Sequence, residues 1–184
     1  MDYRAFYDQL FAPIEVRCGA FDRDTIAPVI GFDAGGPLSF RTIGRGKRRF
    51  VTYVSCELAV RDDQLPSSLG RFEIMVHADN EEWVRRVLSS VGSMSLDIPL
   101  DHGHTIDLAS FIEKSAVIQA VVLESFASVL VDGTSYGILA CHGLTRSELE
   151  FTRKAGVEAL MDRLKAAGVY PNTSLLRQPV SLDA

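Results

Sequence analysis

The sequence predicts a single α+β domain in which helices cover a mixed, largely antiparallel sheet. Its 184 residues suit one domain, and no internal segment has the composition of a linker. Segments with strand character follow one another through turns, and helical periodicity is confined to the start, the middle and the end of the chain. We assign residues 1–175 to this domain and expect residues 176–184 to form a loosely held tail.

The N-terminal segment has the apolar spacing of a short helix. Tyr3, Phe6, Tyr7, Leu10 and Phe11 lie at helical intervals within residues 2–11, and Pro13 is expected to limit the helix. From residue 15 to residue 39 the prolines and the DAGG at 33–36 predict turns and short strands.

Two segments rich in β-branched and aromatic residues follow, at 49–60 and 71–78, and both are predicted to be strands. Asp79 or Asn80 can then cap a helix that continues through residue 91, with Gly92 as its stop. The helix has an apolar stripe that would pack on the sheet, formed by Trp83, Val84, Val87, Leu88 and Val91.

The C-terminal half predicts a strand, a hairpin and a long helix. Residues 115–125 have strand character, and Asp132-Gly133 between two apolar runs is a hairpin signal. Thr145 and Glu148 have the spacing of a capping box, which opens a helix that should run to Gly168. Gly156 inside that helix predicts close packing against another backbone.

Composition excludes several classes of function. The net charge of −5, with both signs spread along the chain, lacks the basic field that binds a nucleic-acid backbone. The one basic cluster, GRGKRR at 44–49, is expected to be a solvated turn, with an anion contact as the alternative. The acidic, aromatic segment at residues 1–11 is not expected to be a signal peptide, and we expect no membrane span because no apolar run is long enough. Three cysteines without CxxC spacing predict buried free thiols and a cytoplasmic protein.

The most chemically suggestive stretch is LDHGHTID at 100–107, where His102 and His104 lie between Asp101 and Asp107. In an extended segment the two histidines would share a face and supply two metal ligands, whereas a catalytic zinc needs three from the protein. A general base oriented by either aspartate is a second hypothesis. A polar turn that enters a strand, with pH-sensitive surface or partner-contact histidines, is the third and preferred one. The remaining donors are scattered: His77, His142 and Cys141.

No catalytic motif supports an enzyme, and we expect no cofactor. Cys141 and His142 are adjacent, so on a strand they would face opposite sides, which places the histidine poorly for activating the cysteine and favours a buried thiol. The phosphate-binding loop, the nucleophile elbow, the zinc-protease motif and the dinucleotide fingerprint are all absent.

Taken in order, three segments resemble bacterial members of the suppressor-of-fused family: FEIMVHADNEEWVRRVL, GHTIDL and GLTRSELEFTRKAGVEALMDRLKAAG. The resemblance covers roughly residues 48–175. It implies an α/β sandwich without catalytic residues that binds a protein or peptide. Animal relatives have a second domain and enclose a short peptide of a transcription factor, whereas single-domain bacterial relatives are thought to be immunity proteins.

The predicted function is therefore the binding of a protein or peptide, with a toxin as one candidate partner. The acidic balance suits a basic partner, and the predicted contact residues are Asp101, His102, His104 and Asp107. The alternative is a metal-dependent hydrolase or small-molecule-binding protein that uses His102 and His104. A structural subunit of a larger assembly is a third possibility, and the sequence leaves the oligomeric state open.

Overall fold

A computed structural model describes residues 2–22, 39–110, 112 and 116–182. The described residues form four helices and six strands. In chain order these are α1 (Tyr3–Cys18), β1 (Phe40–Ile43), β2 (Val51–Ser55), β3 (Arg71–Ala78), α2 (Glu81–Asp97), β4 (Thr105–Asp107), β5 (Ile118–Val131), β6 (Thr134–Thr145), α3 (Arg146–Ala155) and α4 (Val157–Ala166). The prolines and the DAGG turn predicted between residues 23 and 38 lie outside the described residues.

The strands form one sheet in the order β1-β2-β3-β6-β5-β4. Every neighbouring pair is antiparallel except β3 and β6, which are parallel. The predicted α+β domain with a mixed, largely antiparallel sheet is confirmed. Because β4 and β1 each have one strand neighbour, they are the two edges of the sheet.

Helices cover both faces of the sheet. The apolar stripe of α2 packs on one face, against side chains that include Ile74, Leu123 and Leu139. On the other face α1 packs over Met75, Ile138 and Ala140, while α3 and α4 pack over Ala120, Val122 and Leu144. No helix in the described part of the chain is long and apolar enough to cross a membrane.

Two helices extend beyond the stops expected from the sequence. The first contains Pro13 and ends at Cys18, because Ile14 is fully buried beyond the proline and packing offsets the lost hydrogen bond. The second begins at its predicted cap, where the Asn80 side chain accepts from the Trp83 N–H, but it passes Gly92 and reaches Asp97. Glycine only lowers helix propensity, and Met94 and Leu96 beyond it pack against the core, which offsets that cost.

The predicted C-terminal helix starts correctly and breaks early. Thr145 and Glu148 form the expected capping box. At Gly156, however, φ is +90° and the helix divides into α3 and α4. The expected close packing at Gly156 is wrong, because a Cβ built there would meet nothing within 4 Å. The glycine is instead needed for its left-handed backbone conformation.

The strand predicted at 49–60 is confined to β2 by a buried carboxylate. Glu73 is fully buried, and its side chain accepts from the Ser55 hydroxyl and from the N–H groups of Glu57 and Ala59 at 3.0 and 2.9 Å. Because these two N–H groups donate to Glu73, the strand ends at Ser55 and the chain turns. Burial raises the pKa of Glu73, although its hydrogen bonds act in the opposite direction.

The predicted hairpin joins β5 to β6. Asp132 and Gly133 have φ of +49° and +77°, and the strands pair on either side of them from Val131 and Thr134 onward. The strand expected at 115–125 runs from Ile118 to Val131. Its predicted first residue, 115, lies outside the described residues.

The C-terminal segment contacts the core through Arg177, Val180 and Leu182. Arg177 donates two hydrogen bonds to the buried carboxylate of Glu148, and the Val180 N–H donates a third. Val180 is itself buried, whereas Leu176 is exposed. Arg177 and Val180, both within the predicted tail 176–184, thus hydrogen-bond to Glu148 of α3.

Candidate functional site

The segment Asp101–His104 is a polar turn that leads into β4. Gly103 has φ of +83°, which glycine adopts without steric cost. The Asp101 carboxylate holds the turn by accepting from the His102 N–H at 2.7 Å and from the N–H and hydroxyl of Ser68, both at 2.8 Å. Although partial burial opposes the shift, the hydrogen bonds from Ser68 lower the pKa of Asp101. The preferred prediction of a polar turn entering a strand matches this geometry.

The rings of His102 and His104 have different partners. Nδ1 of His102 accepts from the Ser125 N–H at 3.2 Å and Nε2 lies 3.1 Å from Glu158 Oε1, which assigns the proton to Nε2. Nδ1 of His104 accepts from the Asp101 N–H at 3.3 Å. Among the described residues, no three His, Cys, Asp or Glu side chains are grouped to hold a metal ion. The metal hypothesis thus lacks its third ligand in that part of the chain.

Asp107 is paired with α3. Its carboxylate accepts from the Ala109 N–H at 3.0 Å and from Arg146 Nη1 at 2.8 Å. These two donors lower the pKa of Asp107. Within the described residues, neither the Asp101 nor the Asp107 carboxylate accepts a hydrogen bond from a histidine ring, so the arrangement expected for a general base is missing there.

The backbone of β4 presents an unpaired edge. The His104 C=O accepts from the Leu123 N–H at 2.9 Å, and the Leu108 N–H donates to the Gln119 C=O at 2.8 Å. Backbone groups alternate in direction along an antiparallel strand, so Thr105 and Asp107 point their N–H and C=O groups away from β5. No other strand of the described chain pairs with this side.

A groove of about 580 Å³ runs beside this edge on the side of α2. Its apolar part consists of Met94, Ile98, Leu100 and Ile106, and Ile98 is 47% exposed. His104 and Asp107 also line it. The groove therefore combines an open strand edge, apolar side chains and two of the four predicted contact residues, while Asp101 and His102 hold the adjoining turn.

Comparison with models of protein families shows to which family the chain belongs. The profile of the family described as Suppressor of fused protein (SUFU) matches residues 37–178. The chain belongs to the SUFU family. A sequence search among curated proteins finds no significant match.

Solved structures share the SUFU-type fold. The crystal structure of the Sufu–Fu complex superposes with a TM-score of 0.70 at 15% identity, covering 97% of this chain and 91% of the matched one. The crystal structure of Drosophila Suppressor of Fused gives a TM-score of 0.60 at 14% identity and covers 79% of this chain. This SUFU domain spans 43% of that Drosophila chain.

The remaining histidines of this SUFU domain lie away from the groove. His77 and His142 line a second cavity on the sheet face that carries α1. Cys141 belongs to the core cluster under α2, and burial raises the pKa of its thiol. The inference that Cys141 and His142 do not form a catalytic pair agrees with this placement.

Sequence reasoning missed the apolar half of the groove. Met94 and Ile98 follow Gly92, which the sequence predicts as the end of the helix, so the pattern places them in no element. The available signal was the apolar residue Ile98 directly before Pro99, at the end of a helix that continues past its glycine.

Proposed function

We propose that this SUFU domain binds an extended segment of another protein, which adds as a strand to the free edge of β4. The observation that carries the proposal is the outward-facing backbone of Thr105 and Asp107 beside the apolar groove. Strand addition uses such backbone groups for affinity and neighbouring pockets for specificity. One solved structure of the same fold is that of Sufu in complex with Fu, which supports a protein partner.

The groove favours a partner segment with apolar side chains at every second position. Side chains of an added strand alternate between the two faces of the sheet. Those on the α2 side would contact the apolar part of the groove at Ile98, Met94 and Ile106, of which Ile98 is the exposed one. His104 and Asp107 would contact polar parts of the same segment, and Asp101 and His102 would keep the turn in place.

We further propose that the domain acts as an immunity protein in the bacterial cytoplasm. The net charge of −5 suits a basic toxin, and three free cysteines, two of them buried, suit a reducing compartment. Co-expression with the product of a neighbouring toxin-like gene should restore growth. Continued toxicity together with no detectable complex would reject the immunity role while leaving peptide binding intact.

Strand addition at β4 is tested with peptides selected from a random display library, whose affinity is measured by fluorescence polarisation. Thr105→Pro removes the outward N–H without removing a bond to β5, since proline is tolerated on edge strands when its missing N–H faces outward. Thr105→Val keeps that N–H and is the matched control. We expect Thr105→Pro to weaken binding about tenfold, as loss of a hydrogen bond to a desolvated partner costs about 1–3 kcal/mol.

The contribution of the apolar part of the groove to binding is tested by Ile98→Asp, with Val16→Asp as the control. Both side chains are exposed, at 47% and 86%, but Val16 lies on α1, away from the groove. Peptide binding should be lost in Ile98→Asp and kept in Val16→Asp. Selected peptides that bind Thr105→Pro and Ile98→Asp as tightly as the unchanged protein would show that the partner uses another surface.

A further inference from the structure

A cavity of about 320 Å³ lies on the other face of the sheet, between the end of α1 and the segment after α4. Five parts of the chain build it: the C-terminus of α1, the β1–β2 turn, the central strands, β5 and residues 170–172. Its volume is in the range of pockets that hold small molecules. None of the described residues that line it belongs to the β4 groove, so the two sites are independent.

The cavity contains a buried histidine with one free ring nitrogen. His142 is only 6% exposed, and its Nε2 lies 2.8 Å from Glu124 Oε2. The Tyr170 hydroxyl donates to the same carboxylate oxygen at 3.0 Å. Nδ1 of His142 has no hydrogen-bond partner in the described part of the protein. A bound molecule could therefore meet Nδ1, which accepts when the ring is neutral and donates when it is charged.

The mouth of the cavity is cationic although the whole chain is acidic. Arg17 and Arg48 both line it. Arg17 is occupied, because it donates to the Phe126 C=O at 2.9 Å and lies over the Phe126 ring. Arg48 is exposed and has no ion pair among the described residues. Glu124, in contrast, already accepts from two donors, which leaves Arg48 as the charge available to a ligand.

The field of Arg48 reaches into the cavity. Burial first, and the positive charge of Arg48 second, lower the pKa of His77. Met75, Phe126 and Pro171 form an apolar part of the wall, and Thr52 and Asn172 add polar side chains. Among the described residues that line it, the cavity thus offers an exposed cation without an ion pair, an apolar part of the wall and a ring nitrogen without a hydrogen-bond partner.

We propose that this cavity binds a small organic anion whose carboxylate contacts Arg48 and whose apolar body, about the size of a phenyl ring, lies against Phe126 and Met75. A guanidinium recognises a carboxylate through paired N–H donors. The size of the cavity restricts the ligand to a small molecule or a single side chain. This site is additional to the peptide edge and does not depend on it.

The test is a titration of the ¹⁵N-labelled protein with 3-phenylpropionate, followed by amide chemical shifts. The uncharged analogue 3-phenylpropionamide has the same shape and serves as the ligand control. We expect saturable shifts at Phe126, His142 and Tyr170 with the carboxylate, and binding about tenfold weaker for the amide. This ratio corresponds to the value of one charge-assisted hydrogen bond.

Arg48→Gln should lower the affinity for 3-phenylpropionate to that of the amide. Lys47→Gln is the matched control, because Lys47 is an exposed cation of the same turn that does not line the cavity. Both positions are exposed, so both variants should keep the native spectrum. The proposal fails if the carboxylate produces no saturable shifts at the cavity, if the amide binds equally well, or if Lys47→Gln weakens binding as much as Arg48→Gln.

Discussion

Replacing Arg177 with methionine should destabilise the domain more than any surface change of the same type. The guanidinium is 8% exposed and the partner carboxylate of Glu148 is fully buried. Arg177 Nη1 and Nη2 lie 2.6 and 2.5 Å from the two carboxylate oxygens, and Nη2 also donates to the Gly143 C=O at 2.8 Å. Methionine keeps most of the side-chain length but removes these three hydrogen bonds and a fourth, from Nη1 to the Gln178 C=O at 3.2 Å.

The expected loss follows from what remains around Glu148. The N–H groups of Thr145 and Val180 still donate to the carboxylate, at 2.8 and 3.0 Å, but no cation is left beside it. Removing one partner of a buried pair leaves an uncompensated charge and costs about 3–5 kcal/mol. The free energy of unfolding in urea should therefore fall by about that amount in Arg177→Met.

Arg86→Met is the control for this experiment. Arg86 pairs with Glu82 at 2.7 Å on the exposed side of α2, and a pair of this kind contributes about 0.3–0.5 kcal/mol. Adding Glu148→Gln to Arg177→Met removes the buried charge and should recover part of the loss. A loss below about 1 kcal/mol in Arg177→Met would refute the argument, because it would place the pair in the range of exposed ones.

Lowering the pH should narrow the difference in unfolding free energy between the unchanged protein and Arg177→Met. Burial opposes the shift, but Arg177 keeps the pKa of Glu148 below its ordinary value. A lowered carboxyl pKa contributes stability that is present above the unfolded value of about 4.3 and is lost as pH falls through the folded value. Without Arg177, burial would raise the pKa of Glu148. As pH falls, the variant would therefore protonate Glu148 before the unchanged protein does, which removes its unpaired buried charge. Unfolding free energies measured from pH 7 to pH 3 should converge.

Three further changes test local features. Thr145→Ala removes the hydroxyl that accepts from the Glu148 N–H in the capping box. This change should lower the free energy of unfolding by about 1 kcal/mol in a urea titration. Gly133→Ala forces a Cβ into φ of +77° and should cost about 1 kcal/mol by the same measurement, whereas Ala at an extended glycine would not. Burial and Arg48 lower the pKa of His77, so unfolding free energy should fall as pH drops from about 6.5 toward the folded value, and His77→Gln should flatten that dependence.

Local signals in the sequence predicted the elements whose ends are fixed by local chemistry. The strand at 71–78 has its predicted bounds, and the hairpin at Asp132-Gly133 and the cap at Thr145 are present. Each depends on a few neighbouring residues that satisfy backbone groups or adopt positive φ. Such features need no knowledge of the rest of the fold.

Features that depend on distant contacts could not be predicted. The parallel pairing of β3 with β6 joins segments about 65 residues apart, from Arg71 with Tyr136 to Val76 with Cys141. The end of β2 depends on the carboxylate of Glu73, and the apolar groove depends on where α2 ends relative to β4. For the same reason LDHGHTID predicted the turn and the contact residues, whereas the groove beside them became visible only in the structure.

The two edges of the sheet differ in a way that favours β4 for strand addition. The outward Thr42 C=O of β1 accepts from the Asp22 N–H at 2.7 Å, and the Asp22 carboxylate accepts from the Thr42 hydroxyl. The chain itself therefore covers part of that edge, which is a common protection against unwanted pairing. Within the described residues, the outward groups of Thr105 and Asp107 have no such cover.

Because β4 is short, its backbone hydrogen bonds can supply only part of the affinity, and apolar contacts must supply the rest. Two outward residues offer two N–H and two C=O groups, and at about 0.5–1.5 kcal/mol each these contribute about 2–6 kcal/mol. A micromolar complex requires about 8 kcal/mol after the entropy of association has been overcome. The rest must come from apolar contact with the groove, where Ile98 offers the most exposed side chain. If strand addition is correct, Ile98→Asp should therefore weaken a micromolar peptide at least as much as Thr105→Pro does.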